Sequence, residues 1–419
     1  MKRFVQFLGA ATLLLSFTQC SEDATTDSAP SVQGSVKLTA SINETRTELS
    51  GNDVLWKSND RLGLFCGTKF VNAPFTTTAG GTTSADFTGD PTDPSGSEAE
   101  VFYAYYPYSA HAVLEGSVVS GLSIPAVQTF ATKSFATELC PMATSGVDYS
   151  RLAFRTIGTV LKFQVTGQKN VTKIELTGNN GEALAGDYTI DFVGETPEMK
   201  FSGTETTLTL TCSEPVALND ASATEFYFVL PAGVEFTKGI TVKVYTDDNA
   251  EPMVKEYASP LTTRPNKLVT VKAFTYSVPV TSIEEANEAL SKGTSGVTIT
   301  STTDLTVPST LEIPNAFGHG TSTSVEIEQP VSTDLTISEK TTSDKELPET
   351  LSVEMETTAS LIVDTPNLTV SLEGSYTTVE ATTAENTLIV AKNTVIETLT
   401  VKKGNVKIYG TVGENVNEG

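Results

Sequence analysis

Cys20 is the residue of this chain with the most readable chemistry. It closes an apolar run, Phe4 to Phe17, that follows Lys2 and Arg3. A basic start, a short apolar segment and a stop make a secretory signal. The run is too short to cross a bilayer, which takes about 20 apolar residues. A cysteine at the end of such a signal is the mark of a bacterial lipoprotein: residues 1–19 are removed and the Cys20 thiol is acylated. The other reading is an ordinary cleaved signal with an incidental cysteine. Behind Cys20 come Ser21-Glu22-Asp23 and a stretch of Thr, Ser, Ala and Pro to Gln33. Residues 20–33 hold too little apolar surface to order themselves and are expected to act as a tether. Within them Asp27-Ser28-Ala29 matches a short bacterial O-glycosylation motif, which makes Ser28 a candidate modification site.

Other chemistry is thin. The chain has two histidines, His111 and His319, too few for a metal cluster or a triad. No phosphate-cradling glycine loop stands between a strand and a helix. Asp247-Asp248-Asn249 and Asp90 with Asp93 are acidic turns without the spacing of a calcium loop. Past Arg264 there is no arginine, and residues 280–419 carry 21 acidic against 7 basic groups. Their carboxylates stand mostly singly inside strand triplets, which suits a solvated sheet face better than a metal site. Glu326 and Glu328 alternate onto one face, yet so do many solvated residues. No cofactor and no enzymatic activity are expected. A net charge of −24 makes nucleic acid an improbable partner.

The elements that must carry these residues are strands. Thr, Val, Leu, Gly and Ser dominate the 419 residues, and good helix formers are sparse, so the chain is expected to be all-β. Val36, Leu38, Ala40 and Ile42 alternate with polar residues at the period of a half-buried strand. Leu161, Phe163 and Val165 do the same, as do Ile240, Val242 and Val244. Phe226 to Leu230 is a continuous apolar run that suits a central strand. Asn179-Asn180-Gly181 and Gly80-Gly81 mark turns. This spacing predicts β-sandwiches, and some 240 residues are more than one small sandwich needs. Two in tandem are expected, over 34–155 and 156–276. Cys66, Cys140 and Cys212 are an odd set, which excludes a full disulfide framework and predicts buried free thiols.

From about residue 280 the texture changes. Ile283, Ala286, Ala289 and Leu290 have helical spacing, with Ser282 as N-cap, Glu285 three residues on and Gly293 as a stop. Brief apolar triplets follow at 297, 305, 311, 325, 335, 351, 361, 368, 388, 399 and 406. Irregular repetition of such triplets predicts a parallel β-solenoid over 280–419, capped at its near end by the helix. A further β-sandwich is the alternative.

A run of motifs between residues 34 and 276 is similar to the fimbrillin family, the type V pilins and their accessory subunits. It begins with Thr45-Arg46-Thr47, Val54-Leu55-Trp56 and Asp60-Arg61-Leu62-Gly63-Leu64-Phe65. It continues with Tyr103-Ala104-Tyr105-Tyr106-Pro107-Tyr108, Ile124-Pro125-Ala126-Val127-Gln128 and Pro141-Met142-Ala143. Phe154 with Gly158 to Phe163, and Leu184-Ala185-Gly186-Asp187-Tyr188, complete it. The loosened box Phe17-Thr18-Gln19-Cys20 resembles those of lipoproteins from Gram-negative anaerobes. An acidic segment behind the cysteine looks like a surface-export signal of the same group, or else a plain leader.

The resemblance implies a surface-exposed lipoprotein of the outer membrane, acting as a fimbrial accessory or tip subunit or adhesin. Its implied partners are other fimbrial subunits that exchange a donor strand, the outer membrane through the lipid, and host glycans or proteins. It further implies a maturation cut after Arg46, which would free the strand Val36 to Ile42. The alternative is a surface lipoprotein that binds glycans or host proteins and never polymerises. Each motif also has a packing role. Trp56, the single tryptophan, is expected in a core, Asp60 in a turn, and the tyrosines of 103–108 mostly in a core rather than as a sugar platform.

Overall fold

Alternation decides where the first strand sits. In Val36–Ile42 the residues Leu38, Ala40 and Ile42 are buried, while Lys37 and Thr39 face solvent. Such a strand has one apolar face to cover, and a ring of strands covers it. The structure, a computed structural model, describes residues 35–42, 54–136, 139–248, 251–300, 309–341 and 345–417. All of them belong to one compact unit, Ser35–Gly419. Almost everything described is strand and turn; a single α-helix is present among the described residues.

Seven strands close into a barrel. Around the ring they run Val36–Ile42, Arg151–Thr156, Met142–Gly146, Phe102–Tyr106, Arg61–Cys66, Phe70–Thr76 and Ser84–Gly89. Val36–Ile42 closes it, parallel to Arg151–Thr156 and antiparallel to Ser84–Gly89. Its Ala40 lies opposite Leu152 on one side and Ala85 on the other. The all-β class expected from the sequence holds here, and the ladder of strands closes on itself. Phe102–Tyr106 ends at Pro107, which has no N–H to continue the ladder.

The next layers mix both stretches of the chain. Thr159–Thr166 lies between Thr224–Leu230 and Lys267–Thr270. A six-stranded sheet runs from Met253–Tyr257 through Ile240–Thr246, Asn170–Gly178 and Thr207–Ala217 to Val127–Ala131 and Ser134–Phe135. Val118–Ile124 pairs with Gly186–Asp191, so residues from before 156 complete sheets made largely after it. The apolar run Phe226–Leu230 is fully buried but lies at the end of its ladder. Gln128 covers that end. Its Nε2 donates to the Val229 carbonyl (2.8 Å), and the Val229 N–H donates to its Oε1 (2.9 Å). The side-chain amide thus does the work of a missing strand.

From Val278 every pairing between strands among the described residues is parallel, beside one isolated antiparallel bridge between Phe317 and Glu346. Val278–Val280, Val297–Ile299, Ser322–Ile327, Thr350–Asp364, Thr369–Val390, Val395–Ile408 and Thr411–Asn417 follow one another in a single ladder. Leu335–Lys340 joins Ser309–Pro314 to Thr350–Asp364. The expected train of brief strands differs in one respect. The triplets at 351 and 361 lie on one strand, those at 399 and 406 on another, and 388 falls inside Thr369–Val390. The chain turns corners through register shifts, between Thr357 and Ser360 and after Ala381, without leaving the ladder. Sequence punctuation cannot mark such corners, because no turn residue is required. The triplet at 305 lies outside the described residues.

The helix Ile283–Ser291 is capped by Ser282, whose Oγ accepts from the Glu285 N–H at 3.2 Å. Glu285 reaches back to the N–H of Thr281 rather than of Ser282. Ile283, Ala286 and Leu290 pack on the core of the parallel strands, and Ala289 is only half-buried. Gly293 follows at φ +74°, the left-handed conformation that closes a helix.

Candidate strand-exchange site

The residues singled out for covalent chemistry, Cys20, Ser28 and Arg46, all lie outside the described residues. The strand Val36–Ile42 and the strands beside it are described in full.

Leu38, Ala40 and Ile42 point into the ring and join a core with Leu62, Leu64, Phe87, Leu152 and Phe154. Trp56 stands at the centre of that core. Its indole Nε1 donates to the carbonyl of Ala40 at 3.1 Å. Its ring meets Phe87, Tyr106 and Phe154 edge-on, with centroids 5.0, 5.3 and 5.7 Å away. Edge-to-face contacts suit the ring quadrupole, positive edge on negative face. The backbone of Trp56 is held as well: its N–H donates to Thr82 O (2.9 Å), and its carbonyl accepts from Gly81 N (2.8 Å). On the outer face Asp86 takes Lys37 at 2.7 Å and accepts from the Thr39 hydroxyl at 2.9 Å. Those two hydrogen bonds hold the Asp86 carboxyl below its ordinary range. An exposed pair of this kind contributes little to stability but marks the register.

The supporting residues have structural work. Asp60 makes its turn by accepting from the Lys57 N–H (2.7 Å), and it also accepts from the buried Tyr106 hydroxyl (2.9 Å). That second bond was not legible, since 46 residues separate the partners. Tyr105 and Tyr106 are buried and Tyr103 and Tyr108 half-buried, so this stretch fills cores and offers no open platform. Burial pushes the Tyr105 hydroxyl well above its usual value. Cys66 and Cys140 are buried free thiols, whereas Cys212 is half-buried; burial raises both Cys66 and Cys212, the latter to about 11.

A second concave region lies beside the parallel strands. A cleft of about 900 Å³ is lined by Lys243, Lys255, Glu251, Glu256, Glu326 and Glu328 among others. Glu326, Glu354 and Glu373 stand in register on successive strands, and Lys255 approaches Glu326 at 3.8 Å. Burial raises the Glu326 carboxyl, Lys255 draws it back, and Glu354 and Glu328 add to the rise. Of the acidic turns, Asp248 is held by Lys169 at 2.6 Å, Asp247 accepts from Asn170, and Asp93 caps Ser95. Among the described residues no group of three or more His, Cys, Asp or Glu is placed to hold a metal ion. Also among them, no helix is long and apolar enough to cross a membrane.

Neither a protein-family model nor a curated protein matches the chain. Solved structures similar to it include a protein assigned to cell adhesion from Bacteroides uniformis. It is 14% identical over 58% of this chain and 94% of the other, at a TM-score of 0.35. A second such protein, from Bacteroides fragilis, is 12% identical over 58% and 94%, at 0.32. A third is the tip fimbrial protein Mfa3 from Porphyromonas gingivalis with a C-terminal truncation, 12% identical over 55% and 83%, at 0.24. None reaches a TM-score of 0.5, so none carries weight for strand arrangement or for function.

Proposed function

We propose that the chain is a surface-exposed, lipid-anchored accessory or tip subunit of a fimbria, or an adhesin, that joins neighbouring subunits by strand addition and is not an enzyme. Cys20 is the anchor and the outer membrane the site of attachment. The single observation that carries the reading is the seat of Val36–Ile42. This strand is the first described element and pairs on both sides with strands distant in sequence. Its three inward side chains complete a core shared with the other strands of the ring. Leaving, it would open a groove with two rows of unpaired backbone groups, and such groups cost free energy until another strand pairs with them. Arg46, just beyond Ile42, is the cut site in this reading.

The region 280–419 is read as a solenoid that extends the subunit. Supporting this, its strands pair in parallel throughout and share one aliphatic core topped by a helix. A subunit that continues past its pilin-like part suits a tip or accessory position.

The test is digestion of the folded protein with an arginine-specific protease, followed by N-terminal sequencing, size-exclusion chromatography and electron microscopy. A new start at Thr47 with oligomers or filaments is expected. A resistant Arg46, or a clipped product that stays monomeric and retains a glycan or host protein, would favour the non-polymerising binder. For the anchor, mass spectrometry should find lipid on Cys20, and Cys20→Ser should leave the protein unprocessed or released from membranes.

A further inference from the structure

We propose that Trp56 selects and registers the strand that enters this groove, admitting an extended segment of a partner protein with a small residue at the position of Ala40 and larger apolar residues two places to either side. The inference deepens the strand-addition reading and rests on it for the identity of the occupant.

The groove's own occupant shows the requirement. Leu38, Ala40 and Ile42 are 1%, 0% and 7% exposed, so all three side-chain positions are closed. The two outer positions take a four-carbon side chain each, and the middle one takes a methyl group. At that middle position the strand is flanked by Ala85 and Leu152, its carbonyl accepts from the Trp56 indole, and Ala40 and Trp56 share one core. Trp56 cannot give way easily. Three aromatic rings enclose it, and its main chain is tied at both N–H and C=O. Extra methylenes pushed into a closed core force strained rotamers and backbone shifts.

The same residue sets register. A slip of one residue would turn the polar face of the incoming strand inward. A slip of two would bring Leu38 or Ile42 to the closed position that Ala40 holds in the core of Trp56. Such a slip would still offer the indole N–H a backbone carbonyl, so the small residue at this position is what excludes it. A slip of one would take the carbonyl away as well and leave a buried donor unsatisfied. On the outer face Asp86 accepts from Lys37 and Thr39, so a cationic residue three places before the small one is favoured as well. The partner segment therefore has the pattern basic, apolar, any, small, any, apolar.

Trp56 is the only tryptophan in the chain, so its emission reports on the groove directly. The first experiment uses the full chain and needs no cleavage. Ala40→Leu should lower the unfolding midpoint and shift tryptophan emission to the red, Ala40→Gly and Ala40→Ser should keep the blue-shifted emission, and Thr39→Leu, on the exposed side, should keep both properties. Wild-type emission and midpoint in Ala40→Leu would overturn the proposal. The second experiment follows emission after arginine-specific proteolysis, then adds a synthetic peptide of residues 36–42 or the same peptide with leucine at the position of Ala40. The native peptide should restore the blue emission, and the leucine peptide should bind about tenfold or more weakly. Equal binding of the two peptides would overturn the filter and leave strand addition standing. If neither peptide binds, strand addition fails, and the Ala40 series alone decides whether Trp56 polices that position.

Discussion

The ring that begins at Val36 buries aromatic side chains; the parallel strands from Val278 to Asn417 bury mainly aliphatic ones. Trp56, Phe70, Phe75, Phe87, Phe102, Tyr106 and Phe154 share the first core, whereas the second is built almost entirely of Leu, Val and Ile. Their connectivity differs too. Ala40 pairs with Leu152 across most of the ring's sequence, but Thr350 pairs with Thr369, only one strand further on. A ring closed by distant partners stands or falls as a unit, because each contact depends on the same loop closures. A stack of neighbours is close to a sum of local terms. In the ring one strand touches several walls at once: Val36–Ile42 pairs with both Arg151–Thr156 and Ser84–Gly89.

The largest expected effect falls on the ring. Trp56→Ala should cost about 3–5 kcal/mol, as large aromatic truncations in closed cores do. Hydrogen exchange should rise together in Val36–Ile42, Ser84–Gly89 and Arg151–Thr156. A rise confined to the residues around position 56 would break the contrast drawn above. Leu351→Ala, in the middle of the parallel strands, should cost about 2–5 kcal/mol. Exchange there should rise in Thr350–Asp364 and its immediate partners but not in Thr411–Asn417. Loss of protection from end to end would show that the stack is as cooperative as the ring.

Ser282→Ala removes the helix N-cap and should cost about 1 kcal/mol, read as a small drop in the unfolding midpoint. If the helix merely decorates the first strands, the drop will be absent. The smallest effect concerns Glu326, which faces Lys255, Glu328 and Glu354 and shares a cavity with Lys272 and Glu373. Its carboxyl is raised in the folded protein, chiefly by burial, so folding favours the protonated form. The destabilisation is therefore absent below the ordinary glutamate range and grows as pH rises through the raised value. Glu326→Gln should lift the unfolding midpoint slightly near pH 7, and the gain should vanish by about pH 4. A loss at pH 7 would mean that the Lys255 pair outweighs burial.

A feature of this chain is legible in its sequence to the extent that it is local. The seat of Leu38, Ala40 and Ile42 was legible because side chains alternate along any strand. The Ser282 cap and the Gly293 stop were legible because both act within a turn or so of the chain. Trp56 was legible as a core residue from its size. The odd number of Cys66, Cys140 and Cys212 excludes full pairing; that none of them is in a disulfide is decided by the structure. The acceptor of the Trp56 indole, the amide pairing of Gln128 with Val229 and the Asp60–Tyr106 bond were not legible. Each joins residues that no periodicity links.

What the sequence by itself determined, then, is the class of structure and the inward face of each strand, since alternation and capping are properties of neighbouring residues. Which strands become neighbours was decided only by the tertiary structure. Parallel pairing of Val36–Ile42 with Arg151–Thr156 closes the ring, and Val118–Ile124 and Val127–Ala131 cross to complete later sheets. The corners at Thr357 and after Ala381 likewise turn two predicted strands into one. Backbone hydrogen bonding is the same for every residue but proline, so the choice of partner is made by whole-core packing, which a linear pattern does not contain.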